Sequence, residues 1–259
     1  MRQFRVACFI VNIAIVSLLC TGTAWGAPVE LSDDELAEVR GQGLITLDNT
    51  TSGGFNFSTI TLNSSIALNA NLQNILLGQN NLNGPGADID IPALQFGTGG
   101  TATTATAVQI TNPYLEFIYN ASGNQVIGMR LGFEGISGTV GLLMNTVSGA
   151  LQIADGAGDA LSSIGSRSTS LTCTGTSCAG GALSLSAIGG VSAGTTAAPS
   201  RDFWVSLLSQ AVQFPAQPGL SAPNVAQAGV WLNWTDRLTA LNTTGTVPNN
   251  VVLAMLRHK

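Results

Sequence analysis

From Ile60 to Leu72 the chain alternates with a period of two. Ile60, Leu62, Ser64, Ile66, Leu68, Ala70 and Leu72 fall on one side, and Thr61, Asn63, Ser65, Ala67, Asn69 and Asn71 on the other. Successive strand residues point to opposite faces, so the run predicts a half-buried β-strand. Fully extended it would reach about 43 Å, longer than an ordinary strand, and a bend or bulge is expected to divide it. Asn83 to Gly86 predicts a turn. Ile89, Ile91, Leu94 and Phe96 resume the apolar spacing, with Pro92 placed on an edge or at a bulge. Tyr114–Tyr119 and Gln125–Phe133 predict a hairpin around residues 121–124. Val140–Leu143 and Ala150–Ile153 read as further strands, and Phe203–Phe214 and Val230–Leu238 as Trp-bearing apolar segments. The Gly/Thr/Ala stretch from Gly97 to Thr106 reads as a loop.

The N-terminal pattern is different. Arg2 and Arg5 precede a nearly uninterrupted apolar run, Val6 to Leu19, and small residues lead to Ala24-Trp25-Gly26. This is the layout of a cleaved secretory signal with Ala27 as the mature start. The run is shorter than the ~20 residues that span a bilayer. Residues 31–43 then predict a helix of two turns: Ser32 as N-cap with Glu35 closing a capping box, Leu31 and Leu36 as hydrophobic staple, and Gly41 as terminator. So short a helix does not persist alone in water.

The expected fold class is all-β, mainly antiparallel, sandwich- or roll-like or partly solenoid, with one short N-terminal helix. The expected division is a signal peptide over 1–26, the capped helix motif over 27–43 and a β-rich domain over 44–154. A Gly/Ser/Thr-rich region with a disulfide loop, irregular or weakly paired, follows over 155–202. A C-terminal β-rich segment, 203–259, packs on the same domain.

Composition sharpens the picture. Only 9% of residues are charged, against about 25% in ordinary soluble domains. Neutral polar side chains must therefore cover the exposed faces, as in secreted β-rich proteins. The acids cluster at Glu30, Asp33, Asp34, Glu35 and Glu38. Without a basic patch, nucleic acid is excluded as a partner, and no stretch of the mature chain is long and apolar enough for a membrane helix. Cys173 and Cys178 are expected to close a disulfide in an oxidising compartment.

Candidate chemistry is sparse. The sole histidine is His258, so neither a zinc site nor a Ser-His-Asp centre is expected. Glu116 and Glu134, on successive predicted strands, are read as carboxylates on the solvent face of the hairpin. Asp88 with Asp90, and Asp155 with Asp159, are calcium candidates that fall short of the six to eight oxygens the ion takes. No phosphate-binding glycine motif occurs. Trp204, Trp231 and Trp234 are expected in the core. No catalytic residue, metal or other cofactor is assigned.

The run Leu31 to Gly43, an LSDxELxxVxGQ-type motif after an export signal, resembles the start of poorly characterised exported proteins of Gram-negative bacteria described as filament- or pilus-associated. The resemblance continues through Asn69–Asn71, Gly86–Ile91, Thr111–Phe117 and Gln125–Leu131. It implies a non-enzymatic surface protein, a filament subunit or filament-associated adhesive component, at the outer surface, extracellular or periplasmic. Its partners would be other surface proteins or itself. An envelope binding module for a hydrophobic ligand or polysaccharide, and an outer-membrane β-barrel, are the alternatives.

Overall fold

Strand-forming patterns in the sequence become ladders in a computed structural model, which describes residues 43–79, 84–98, 106–122, 125–175 and 181–248. The expected signal peptide and the expected helix motif with Leu31, Ser32, Glu35, Leu36 and Gly41 lie outside the described residues. From Gly43 onward the chain forms one compact unit.

Its strands, in chain order, are β1 (Ile45–Ser52), β2 (Phe55–Leu62), β3 (Ser65–Leu68), β4 (Ala70–Leu77), β5 (Ile89–Phe96) and β6 (Val108–Tyr119). Then come β7 (Val126–Ser137), β8 (Thr139–Leu143), β9 (Thr146–Ala154), β10 (Ala160–Ser168), β11 (Ser170–Cys173) and β12 (Ala182–Ser184). The last are β13 (Gly190–Thr195), β14 (Ala198–Pro199), β15 (Trp204–Leu208), β16 (Gly229–Trp234) and β17 (Leu238–Ala240). The protein is all-β, built on one large mixed sheet. Ladders are antiparallel except where β9 runs parallel to β16 and β17.

The predicted hairpin is the longest ladder. β6 and β7 pair from Gln109↔Ser137 to Tyr119↔Val126. β2 and β3 both pair with β6, divided by a one-residue change of register around Leu62 to Ser65. That is the break expected in the Ile60–Leu72 run. A second division, at Asn69, sends β4 to pair with β5 instead. β8 and β9 lie opposite β5 in one continuous register, with Met144 and Asn145 between them.

Pro92 sits on β5, which is paired on both sides, so the edge placement is corrected. It falls where β8 gives way to β9, opposite Asn74 of β4, whose φ is +55°. Both neighbouring ladders are irregular there, which accommodates a residue that has no N–H to donate.

Of the two expectations for 155–202, irregular or weakly paired, the strands decide for pairing. β10 to β14 lie in this stretch, with β10 paired to β9 from Ala160↔Ala154 to Ser168↔Val147. Ladder hydrogen bonds use the backbone alone, so Ser, Ala and Gly suffice when sparse anchors are buried. Leu161, Leu171, Leu185, Ile188, Val191 and Ala193 supply them.

Two cores follow. The larger joins Ile89 and Ile91 (β5), Val108 and Ile110 (β6), Val140 and Leu142 (β8), Leu151 and Ile153 (β9) with Leu232 and Trp234 (β16). β5 is ladder partner of β8 and β9, and β9 of β16, so these side chains meet on one face of the mixed sheet. The smaller core contains Phe57, Tyr114, Ile118, Ile127, Trp204, Leu208, Phe214 and Trp231 from β2, β6, β7, β15, β16 and the segment after β15; on β16 it takes the face opposite the larger core. All three tryptophans are buried as expected, and Trp234 Nε1 donates to Ser200 Oγ at 2.9 Å.

Candidate functional site

Strand register builds the most unusual cluster. Asp48, Thr59, Glu116, Arg130, Ser206 and Trp231 are successive cross-strand partners over β1, β2, β6, β7, β15 and β16. At its centre Arg130 Nε lies 2.6 Å from Glu116 Oε2, and Arg130 Nη2 donates to Glu116 Oε1 at 3.2 Å. Thr59 Oγ1 donates to the same Oε1 at 2.8 Å. Both charged side chains are buried. The expectation that Glu116 occupies a solvent face is therefore wrong.

What buries them is a strap. Residues 213–226 leave the sheet after β15 and return before β16, closed at the base by Val212 and Ala226, each donating to the other's carbonyl. Arg201 holds the strap through the Pro218 and Gly219 carbonyls. The strap lays Phe214 over the guanidinium, whose Cζ is 4.4 Å from the ring centre; Tyr114 and Trp204 lie 5.4 and 5.6 Å away. Arg130 Nη1 has no oxygen acceptor and is stabilised by the faces of these rings. On β7, Gly128 and Gly132 flank Arg130 on the same face. A Cβ at Gly132 would come within 2.6 Å of the Tyr114 hydroxyl, so glycine makes the room the ring occupies. Burial raises the Tyr114 pKa above its usual value, partly offset by the Arg130 guanidinium.

Two cavities flank the strap and share Arg130, Pro215 and Gln217. One, of about 300 Å³, is lined by Gln152, Asp202, Trp204, Asn224, Asn233 and Thr235 among others. The other, of about 660 Å³, presents Thr50, Thr51, Ser52, Thr59 and Thr61 with Asp48 and Glu134. The carboxylates here are engaged. Asp202 accepts from the Thr235 and Asp236 amides at 2.9 Å, and Asp236 from the Arg201 amide at 3.1 Å. Glu134 accepts from Asn112 Nδ2 at 2.7 Å. It stands four ladder positions from Glu116, roughly 13 Å, beyond the spacing of paired glycosidase carboxylates.

The calcium candidates do not converge. Asp88 is buried and its Oδ2 accepts the Val230 amide at 2.8 Å; Asp90 Oδ2 accepts from Asn145 Nδ2 at 3.0 Å. Asp155 Oδ1 accepts the Ala157 and Asp159 amides at 2.9 and 2.7 Å, shaping the β9–β10 turn. Among the described residues no three His, Cys, Asp or Glu side chains gather as a metal site. Cys173 ends β11, while Cys178 and His258 lie outside the described residues.

The other face of the same strands is exposed. Leu47, Ile60, Leu115, Leu131 and Val205 are register partners across five strands; Leu47 and Leu131 are 71% and 58% exposed, Leu115 is half-buried, and Val205 packs on the larger core. Phe117, Met129 and Leu207 form the adjacent row and, with Val126, line a shallow apolar groove. In the Ile60–Leu72 alternation the apolar side is the more buried one: Leu62, Ser64, Leu68 and Ala70 are half-buried and Leu68 packs on the larger core, whereas Asn63, Ser65, Ala67 and Asn69 are exposed; Ile60, Ile66 and Leu72 remain exposed. Among the described residues no helix is long and apolar enough to cross a membrane. No protein-family model, curated protein or solved structure matches the chain.

Proposed function

We propose that this is an exported, non-catalytic surface protein, a filament subunit or filament-associated adhesive component, that works by association. The observation that carries the reading is the uncharged apolar sheet face running from edge strand β1 to β15. Contiguous exposed apolar surface of this kind marks interaction sites. An edge strand with one acidic residue and neither Lys nor Pro lacks the usual guards against strand addition. Engagement of Glu116, Asp202 and Asp236 in internal bonds supports a structural reading of the polar cluster over a catalytic one. The apolar interior favours this reading over an outer-membrane barrel, whose lumen is polar. Sedimentation of the mature chain, residues 27–259, tests it: mass is expected to rise with concentration, and a strict monomer with no envelope partner overturns the proposal.

A second reading, an envelope module for polysaccharide, is favoured by the hydroxyl- and amide-lined cavities beside the strap. Saturation-transfer NMR with envelope oligosaccharides would detect it, and their lining argues against a hydrophobic ligand there.

A further inference from the structure

We infer that a second copy of this chain adds to the outer edge of β1, antiparallel, about a two-fold axis through Asn49. This rests on the association reading above and names its first contact.

Asn63 N donates to Leu44 O at 2.8 Å, and Ile45 is the partner of Leu62. Hydrogen-bonded and non-bonded pairs alternate in an antiparallel ladder. Thr46, Asp48 and Thr50 therefore direct their backbone groups at β2, whereas Ile45, Leu47, Asn49 and Thr51 direct theirs outward. The one ladder of β1 among the described strands is that with β2, and β10 pairs with β9 and β11; every residue of β1 up to Thr51 is exposed.

One outward group is occupied. The Asn49 amide donates to Asp48 Oδ1 at 2.9 Å, so the strand's single charge masks one donor of its own edge. Strand addition with Asn49 opposite its copy sets Leu47 against the second copy's Thr51 and Asp48 against its Thr50. A register centred on Asp48 would oppose the two carboxylates, which is unfavourable. The pairing also joins the two Leu47–Ile60–Leu115–Leu131 faces into one apolar surface. A self-complementary patch of this kind gives the closed two-fold contact commonest among oligomers.

The test is sedimentation of the mature chain from micromolar to millimolar, beside Leu47→Pro and Ile45→Lys. Proline at 47 deletes an outward N–H and no internal ladder bond, so the unfolding midpoint should stay near wild type while the dimer is lost. Lysine at 45 guards the edge without touching the backbone. Asp48→Ala releases the Asn49 amide and is expected to tighten association about fivefold. Asn49→Cys, treated with a bis-maleimide that adds one thiolate at each ring and needs no oxidant, should give a covalent dimer that Leu47→Pro abolishes. Association that survives both edge variants overturns the β1 contact and leaves the broader reading intact. A wild-type chain that stays monomeric throughout overturns both.

Discussion

Glu116 and Arg130 are held by register before anything else. The hairpin sets them opposite each other, Thr59 supplies a hydrogen bond from the next strand, and the strap removes water. Breaking a buried pair from one side leaves an uncompensated charge, which typically costs about 3–5 kcal/mol, whereas replacing both members by apolar residues is often neutral. Glu116→Leu is therefore expected to lower the unfolding midpoint by roughly 10 °C at this chain length. Glu116→Leu combined with Arg130→Met should recover most of the loss, as calorimetry would read. Tyr114 adds a pH dependence. Its folded pKa is raised above the usual value of 10.0 by burial, so the native state keeps a proton that the unfolded chain releases. Stability from this group is complete below about pH 10 and declines as pH climbs from there toward the folded pKa. Urea unfolding between pH 8 and 11 should show that decline in the wild type and a shallower one in Tyr114→Phe.

The parallel contact between β9 and β16 depends on Gly149. A Cβ there would stand 2.1 Å from the Leu232 carbonyl oxygen, a backbone atom that cannot swing aside, so Gly149→Ala is expected to unfold the chain or separate these strands. Gly156, in the β9–β10 turn, has open space around it, and Gly156→Ala should be neutral or stabilising by about 0.4–1 kcal/mol. Circular dichroism melts of the two variants separate the cases. Elements like these were unequally legible in the sequence. The β6–β7 hairpin announced itself through two apolar runs and a polar turn, and the Ile60–Leu72 alternation announced strands and their division. Its apolar side is covered only in part: Leu68 packs on the larger core, whereas Ile60, Ile66 and Leu72 stay exposed. The strands between 155 and 202 were legible only in part because backbone ladders among Ser, Gly and Ala leave little periodic signal. The site was harder still. Counting back from the hairpin turn sets Glu116 against Met129, and only the bulge between Ile118 and Tyr119 shifts the register by one to bring Arg130 opposite it. Burial of that row comes from residues 213–226, more than eighty positions beyond Arg130 in the chain, which no local pattern reports.

At the scale of the molecule, scarcity of charge and an open apolar face belong together. Charged residues are 9% of the chain, and several are engaged within the molecule: Glu116 with Arg130 and Asp88 on the Val230 amide, both buried, and Asp236 with Arg201, half-buried. Contact across the exposed Leu47–Ile60–Leu131 rows then has almost no Coulombic component for salt to screen. Charge-driven association weakens as ionic strength rises because the Debye length falls from about 10 Å at 0.1 M to 3 Å at 1 M. Apolar burial instead strengthens in salts excluded from protein surfaces, sulfate above all. Self-association of the mature chain is therefore expected to hold constant as sodium chloride rises from 0.1 to 1 M, and to tighten in sodium sulfate of equal ionic strength. Light scattering at fixed protein concentration reads both arms. Marked dissociation in sodium chloride would mean that the contact is made by the few surface charges and not by the neutral sheet.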